Sequence, residues 1–120
     1  DEMLETMTRI VSNLMVNEKR IVDNLLITKG QIFAEFVLEA LIKKGIPRFV
    51  AYRDVQRVAF LANDKGMFYK DAIKNDKAFS SKLTEKEIDA IFAPEKHLGA
   101  SPAIISNVNK SVQKTVKKFI

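Results

Sequence analysis

The side chains able to do chemistry are few in this chain of 120 residues. The single histidine, His97, lies in the run Pro94-Glu95-Lys96-His97-Leu98-Gly99. Proton transfer would need a partner acid or base, and metal binding would need further ligands at suitable spacing; neither accompanies it. His97 therefore reads as a solvent-exposed or capping histidine, with an interface role as the other option. Arg48, Tyr52, Arg53 and Arg57 could supply contacts to an anion, but Arg and Tyr at helix ends more simply clamp neighbouring elements. The absence of cysteine excludes disulfides, thiolate chemistry and zinc sites built on Cys, and it fits a reducing, cytosolic setting.

A net charge of +5 raises the question of nucleic acid. The excess is confined to one end. Every acidic residue falls at or before Glu95, and the last five lysines are Lys96, Lys110, Lys114, Lys117 and Lys118. A lysine face opposite an apolar stripe, near the negative end of a helix, is an ordinary solvated surface. No aromatic residue interleaves these lysines to stack on bases, so nucleic acid is set aside as a partner. No apolar run reaches the length of a membrane span, and the acidic start (Asp1, Glu2, Glu5) is not that of a signal peptide; the chain reads as soluble and cytoplasmic.

The elements that must position these residues are helical. In the stretch from Asn24 to Ala62, Ile32, Phe33, Phe36, Val37, Ala40 and Leu41 form one broad apolar stripe, which Gly45 ends. Ala51, Val55, Val58, Ala59 and Ala62 form a second, narrower stripe, off which Arg53, Asp54, Gln56 and Arg57 fall. A connection as short as Gly45-Ile46-Pro47 makes the two helices an antiparallel hairpin with a seam of small residues. Upstream, Met3, Leu4, Met7, Ile10, Val11 and Leu14 predict a helix within Asp1 to Met15 that opens inside its own periodic pattern, as a piece cut from a longer bundle helix would; a short natural protein is the alternative. Asn17 is placed to cap a helix carrying Ile21, Val22, Leu25 and Leu26, and Gly30 marks a bend.

Downstream, Asn63-Asp64-Lys65-Gly66 reads as a helix C-terminus. A short helix from Met67 to about Lys74 presents Phe68, Ala72 and Ile73, and Phe33, Phe36, Phe60 and Phe68 are assigned to the core. Thr84 with Glu87 forms a capping box, Leu83 can staple onto Ile88, and Pro94 ends that helix near Phe92. Ser101 as N-cap with Pro102 starts a last helix, whose apolar face is Ile105, Val108, Val112, Val116 and Phe119. Nothing alternates with period two for long enough to be a strand. The expected fold is all-α, a compact helical domain of about six to seven helices built around the hairpin. With 47% hydrophobic residues it can hold one real core without staples.

Within the hairpin stretch, Asn24, Leu25, Thr28, Gly30, Gly45, Arg48, Ala51, Tyr52, Val55 and Gln56 resemble, at fixed spacing, the C-terminal domain of the adenylosuccinate lyases, in the fumarase and aspartase superfamily. The run Phe92 to Gly99 is similar to a further family segment, with Ala93 and His97 as departures. Ala34 stands where the family commonly has serine. Pro47 replaces the Ser or Thr before Arg48, so that helix loses a side-chain cap worth about 1 kcal/mol and gains a residue pre-set for a first turn. Ser80-Ser81-Lys82 superficially resembles the start of the superfamily's signature loop but lacks the rest of the motif, and reads as a polar turn.

The resemblance implies residues 1–28 as the end of a central helical bundle and 29–120 as the C-terminal domain of a homotetrameric carbon–nitrogen lyase. That enzyme releases fumarate from adenylosuccinate and from the succinyl-carboxamide ribotide of purine synthesis, without metal or organic cofactor. The family's catalytic histidines and mobile-loop serine lie in its first two domains, and none of those motifs occurs here. The chain is thus expected to be inactive alone, with Asn24, Thr28, Arg48, Tyr52 and Arg57 as domain-packing or active-site-rim candidates. Two alternatives remain: the matching domain of a carboxymuconate cycloisomerase, and a free-standing helical interaction module. In such a module residues 1–15 would dock on the hairpin, whereas in a severed bundle helix they would be frayed or would self-associate.

Overall fold

Where Gly45 interrupts the apolar pattern the chain does turn back on itself, through a Schellman motif. The amide of Ile46 donates to the carbonyl of Leu41 at 3.1 Å and the amide of Gly45 to that of Ile42 at 2.9 Å. Gly45 takes φ 85°, a left-handed value that suits glycine. The two arms are α3 (Ala34–Lys43) and α4 (Arg48–Asp64). Val37, Leu38 and Leu41 of α3 are buried in one cluster with Ala51, Val55, Val58 and Ala62 of α4. The computed structural model, which describes residues 1–118, precedes this hairpin with α1 (Glu2–Ser12), α2 (Glu18–Leu25) and a 3-10 turn at Gln31–Phe33. After it come α5 (Tyr69–Asn75), α6 (Lys77–Ser80), α7 (Glu85–Ile91), a 3-10 turn at Pro94–His97 and α8 (Ser101–Val116). Among the described residues there is no strand, and the fold is all-α.

Helices α5 to α7 close the open side of the hairpin. Tyr69, Ala72, Ile73, Phe79, Leu83 and Ile88 join its cluster, and among the described residues no charged side chain is buried. The capping box forms as expected: Glu87 N donates to Thr84 Oγ1 at 3.3 Å, and Thr84 N donates to Glu87 Oε2 at 2.8 Å. Asn17 Oδ1 likewise accepts from Arg20 N at 2.9 Å and starts α2.

Several expectations are corrected. Phe60 and Phe68 are exposed at 62% and 48% rather than core. Phe60 shares the outward face of α4 with Phe49 and Gln56, three turns and one turn before it. Phe68 occupies the extended cap position of α5, so the next residue, Tyr69, turns inward and becomes fully buried. Ile32 is exposed and Leu38 takes its place, because residues 31–33 form a 3-10 turn and the 3.6-residue period starts only at Ala34. Phe36, Ala40 and Ala59 are half-buried. There are eight α-helices among the described residues, not six to seven; α6 is a single turn whose apolar signal is Phe79 alone. Ser101 is the first residue of α8, not its cap, and Pro47 caps α4 from outside its first turn. The first helix ends at Ser12, short of Met15, and Phe119 lies outside the described residues.

Helices α1, α2 and α8 bury no residue. The radius of gyration is accordingly 20.9 Å, against about 14 Å for a compact globule of this length, and the molecule extends over 62 × 30 × 23 Å. The apolar stripes read from the sequence in α1 and α8 are real but uncovered.

Two glycines of similar φ separate backbone strain from packing. Gly30 (φ 87°) is buried with the Phe92 ring 3.4 Å from where a Cβ would lie, whereas Gly45 has nothing within 4 Å. Gly45→Leu should cost about 1–2 kcal/mol in denaturant unfolding, from the left-handed backbone alone. Gly30→Leu should add about 1–3 kcal/mol of overpacking; equal losses for the two would contradict the packing.

Candidate functional site

The five residues singled out from the sequence lie on α2, on the link that follows it and on α4, and are not gathered into one pocket. Asn24 lies on α2 and is exposed, and Thr28 lies in the link that follows. Thr28 lines a cavity of about 200 Å³ with Ile27, Lys29, Gln31, Asn63 and Met67. Arg48 opens α4 on the surface, and Tyr52, one turn on, is 54% exposed. Among the described residues no side-chain hydrogen bond joins any two of the five.

Arg57 has a definite structural task. Its Nη1 donates to Asp76 Oδ2 at 2.8 Å, and its Nε lies 3.8 Å from Asp54 Oδ1. Asp76 Oδ1 in turn accepts from Ala78 N at 2.9 Å, so one carboxylate both caps α6 and ties it to α4. The hydrogen bond from Arg57 is the main cause that holds the Asp76 carboxyl below its ordinary range; the same bond raises the guanidinium.

His97 is a capping histidine in a half-buried place. Its Nε2 is 2.6 Å from the carbonyl oxygen of Ile91, the last residue of α7, and its ring stacks on Phe36 with centroids 3.7 Å apart and planes 21° from parallel. Phe33 lies 5.7 Å away on the same cluster. This arrangement pins the Pro94–His97 turn onto α3 and α7. Among the described residues no group of three metal-ligating side chains converges, and no buried side-chain polar atom lacks a partner.

Sequence reasoning missed four polar contacts that hold the domain. Tyr69 Oη donates to the carbonyl of Val55 at 3.3 Å from a fully buried ring, and burial pushes its hydroxyl pKa upward. The spacing of Tyr69 to Ala72 and Ile73, three and four residues, carried that signal. Lys44 meets Glu87 at 2.6 Å, joining the end of α3 to the start of α7, and Lys70 and Lys74 of α5 both reach Asp89 of α7 at 3.0 and 2.8 Å. No sequence periodicity marks such pairs across elements.

What these contacts define is a helical packing domain, in which Arg57–Asp76, Lys44–Glu87 and the two lysines on Asp89 hold one helix to another. Residues 30–108 match the family model described as adenylosuccinate lyase C-terminus, and the chain belongs to that family. It is similar to the adenylosuccinate lyase of Synechocystis, 35% identical over 108 residues, which are 89% of this chain and 25% of that protein. It is similar also to that of Thermotoga maritima, 34% identical over 90 residues (75% of this chain, 21% of that protein). To that of Methanocaldococcus jannaschii it is 28% identical over 113 residues (94% and 24%). The chain thus spans about a quarter of the length of the curated relatives it matches.

The Lys44–Glu87 pair predicts a pH response. Lys44, then the Thr84 amide and hydroxyl, lower the Glu87 pKa from the ordinary 4.5 to about 2. A depressed carboxylate stabilises the fold fully above 4.5 and loses that contribution as pH falls to about 2. Glu87→Gln should therefore show a flatter decline of stability through this acid window than the parent, in denaturant unfolding at stepped pH; parallel curves would remove Glu87 from the account.

Proposed function

We propose that this chain is the C-terminal helical domain of an adenylosuccinate lyase together with the last part of its central bundle, and that its work is structural. In this reading the boundary falls between residues 28 and 29. The elimination that gives fumarate and AMP from adenylosuccinate, and the parallel cleavage of the succinyl-carboxamide ribotide, are performed by groups outside these 120 residues. The domain closes onto the bundle of a homotetramer in the cytoplasm, with Asn24, Thr28, Arg48 and Tyr52 on the packing surface or active-site rim and Arg57 stiffening α4 behind them.

The observation that carries the proposal is the family match over residues 30–108, which contains the packed part of the fold. The uncovered stripe of α1 supports it further: Met3, Leu4, Met7, Ile10 and Val11 are all more than half exposed and do not dock on the hairpin, as they would in a self-contained interaction module. The relatives named above bear the lyase name, and nothing in the geometry favours a cycloisomerase. Among the described residues no helix is long and apolar enough to cross a membrane.

A chimera tests this directly. The purified 120-residue chain should release no fumarate from adenylosuccinate, while the Synechocystis enzyme with its C-terminal quarter replaced by this chain should retain activity within about tenfold, a loss of about 1.4 kcal/mol in transition-state stabilisation. Turnover by the isolated chain, or a folded chimera without activity, would refute the assignment.

A further inference from the structure

Between α2 and the hairpin the backbone takes two successive left-handed residues, Lys29 (φ 51°) and Gly30 (φ 87°). Lys29 is the one non-glycine residue with positive φ among the described residues, a conformation a side chain with Cβ rarely adopts unless neighbouring bonds over-determine it. Those bonds are present. The Lys29 amide donates to the carbonyl of Leu26 at 2.8 Å, at the end of α2, and the Lys29 carbonyl accepts from the amide of Tyr69 at 2.9 Å, at the start of α5. Its ammonium Nζ donates to the carbonyl of Gly66 at 2.7 Å, just past the C-terminus of the 17-residue helix α4, where the helix dipole favours a cation. Beside it Gln31 Nε2 donates to the carbonyl of Ala59 at 3.2 Å, and Gly30 packs against the rings of Phe92 and the Cβ of Tyr69. Three elements therefore meet at one residue, while α2 itself buries nothing and only its Leu25 is half-buried.

We propose that Lys29 is the pivot that fixes the α1–α2 arm at one angle to the helical core, its backbone joining α2 to α5 and its ammonium group locking the joint onto the end of α4. The inference stands on this geometry whether or not the chain serves a lyase; if it does, the pivot sets the tilt of the C-terminal domain over the bundle.

The chain has no cysteine, so paired spin labels can be placed cleanly at the exposed positions Lys19→Cys on α2 and Gln56→Cys on α4, and the distance between them read by pulsed dipolar spectroscopy. With Lys29 in place the distribution should be single and narrow. Lys29→Met, which removes only the ammonium group, should widen it at least twofold, and Lys29→Arg, which restores a cationic donor, should narrow it again. An unchanged width in a folded Lys29→Met, or a distribution already broad with Lys29 present, would overturn the proposal. If circular dichroism shows that Lys29→Met does not fold, the width measured with Lys29 decides alone, narrow supporting the pivot and broad refuting it.

Discussion

Everything described depends on how closely α3 and α4 approach. Ala51 and Ala62 are fully buried and carry only a methyl group each, so the backbone of α4 can come near the branched side chains Val37 and Leu41. Burial of aliphatic surface at roughly 25 cal/mol per Å² is the driving term, and among the described residues no buried charge opposes it. The ion pairs lie at the rim, where such contacts are each worth at most about 1 kcal/mol; they align α5 to α7 on the hairpin but do not hold it together. Enlarging either alanine would separate the arms and disperse the side chains that α5, α6 and α7 cover.

From this follows an unequal molecule. The packed part begins at Gly30 and ends with the His97 cap on α7, and the helices beyond it at either end stand free with apolar faces in solvent. Met, Leu, Ile and Val line those exposed faces, and burying them would release apolar surface from water. The family match covers the packed part and stops within α8, which agrees with a domain whose interior is self-sufficient.

Much of the fold was legible because it is written in local terms. Apolar spacing marked both arms of the hairpin, Gly45 and Gly66 marked helix ends, and Thr84 with Glu87 and Asn17 marked helix starts, each through contacts within a few residues. Errors arose where the period changes or a cap shifts the phase: the 3-10 turn displaced Ile32, the extended Phe68 exchanged places with Tyr69, and one-turn α6 left no periodic trace. The site was less legible for a related reason. Lys29, Asp76 and Glu87 act on residues distant along the chain, and nothing in local spacing announces which partner a surface charge will find. For His97 the sequence left solvent exposure and capping open, and its stack on Phe36 joins residues about sixty apart and needed the fold to be seen.

The central claim is that the hairpin and α5 to α7 form one cooperative core to which the terminal helices add nothing. Amide hydrogen exchange across the whole chain tests it most directly, since protection reports the free energy of the opening that exposes each amide. Amides of α3, α4, α5 and α7 should exchange only through global unfolding, while those of α1 and α8 exchange near the rates of an unprotected peptide. If amides in α1 are protected to the same degree as those of Val37 and Val58, the terminal helix is part of the core and the account is wrong.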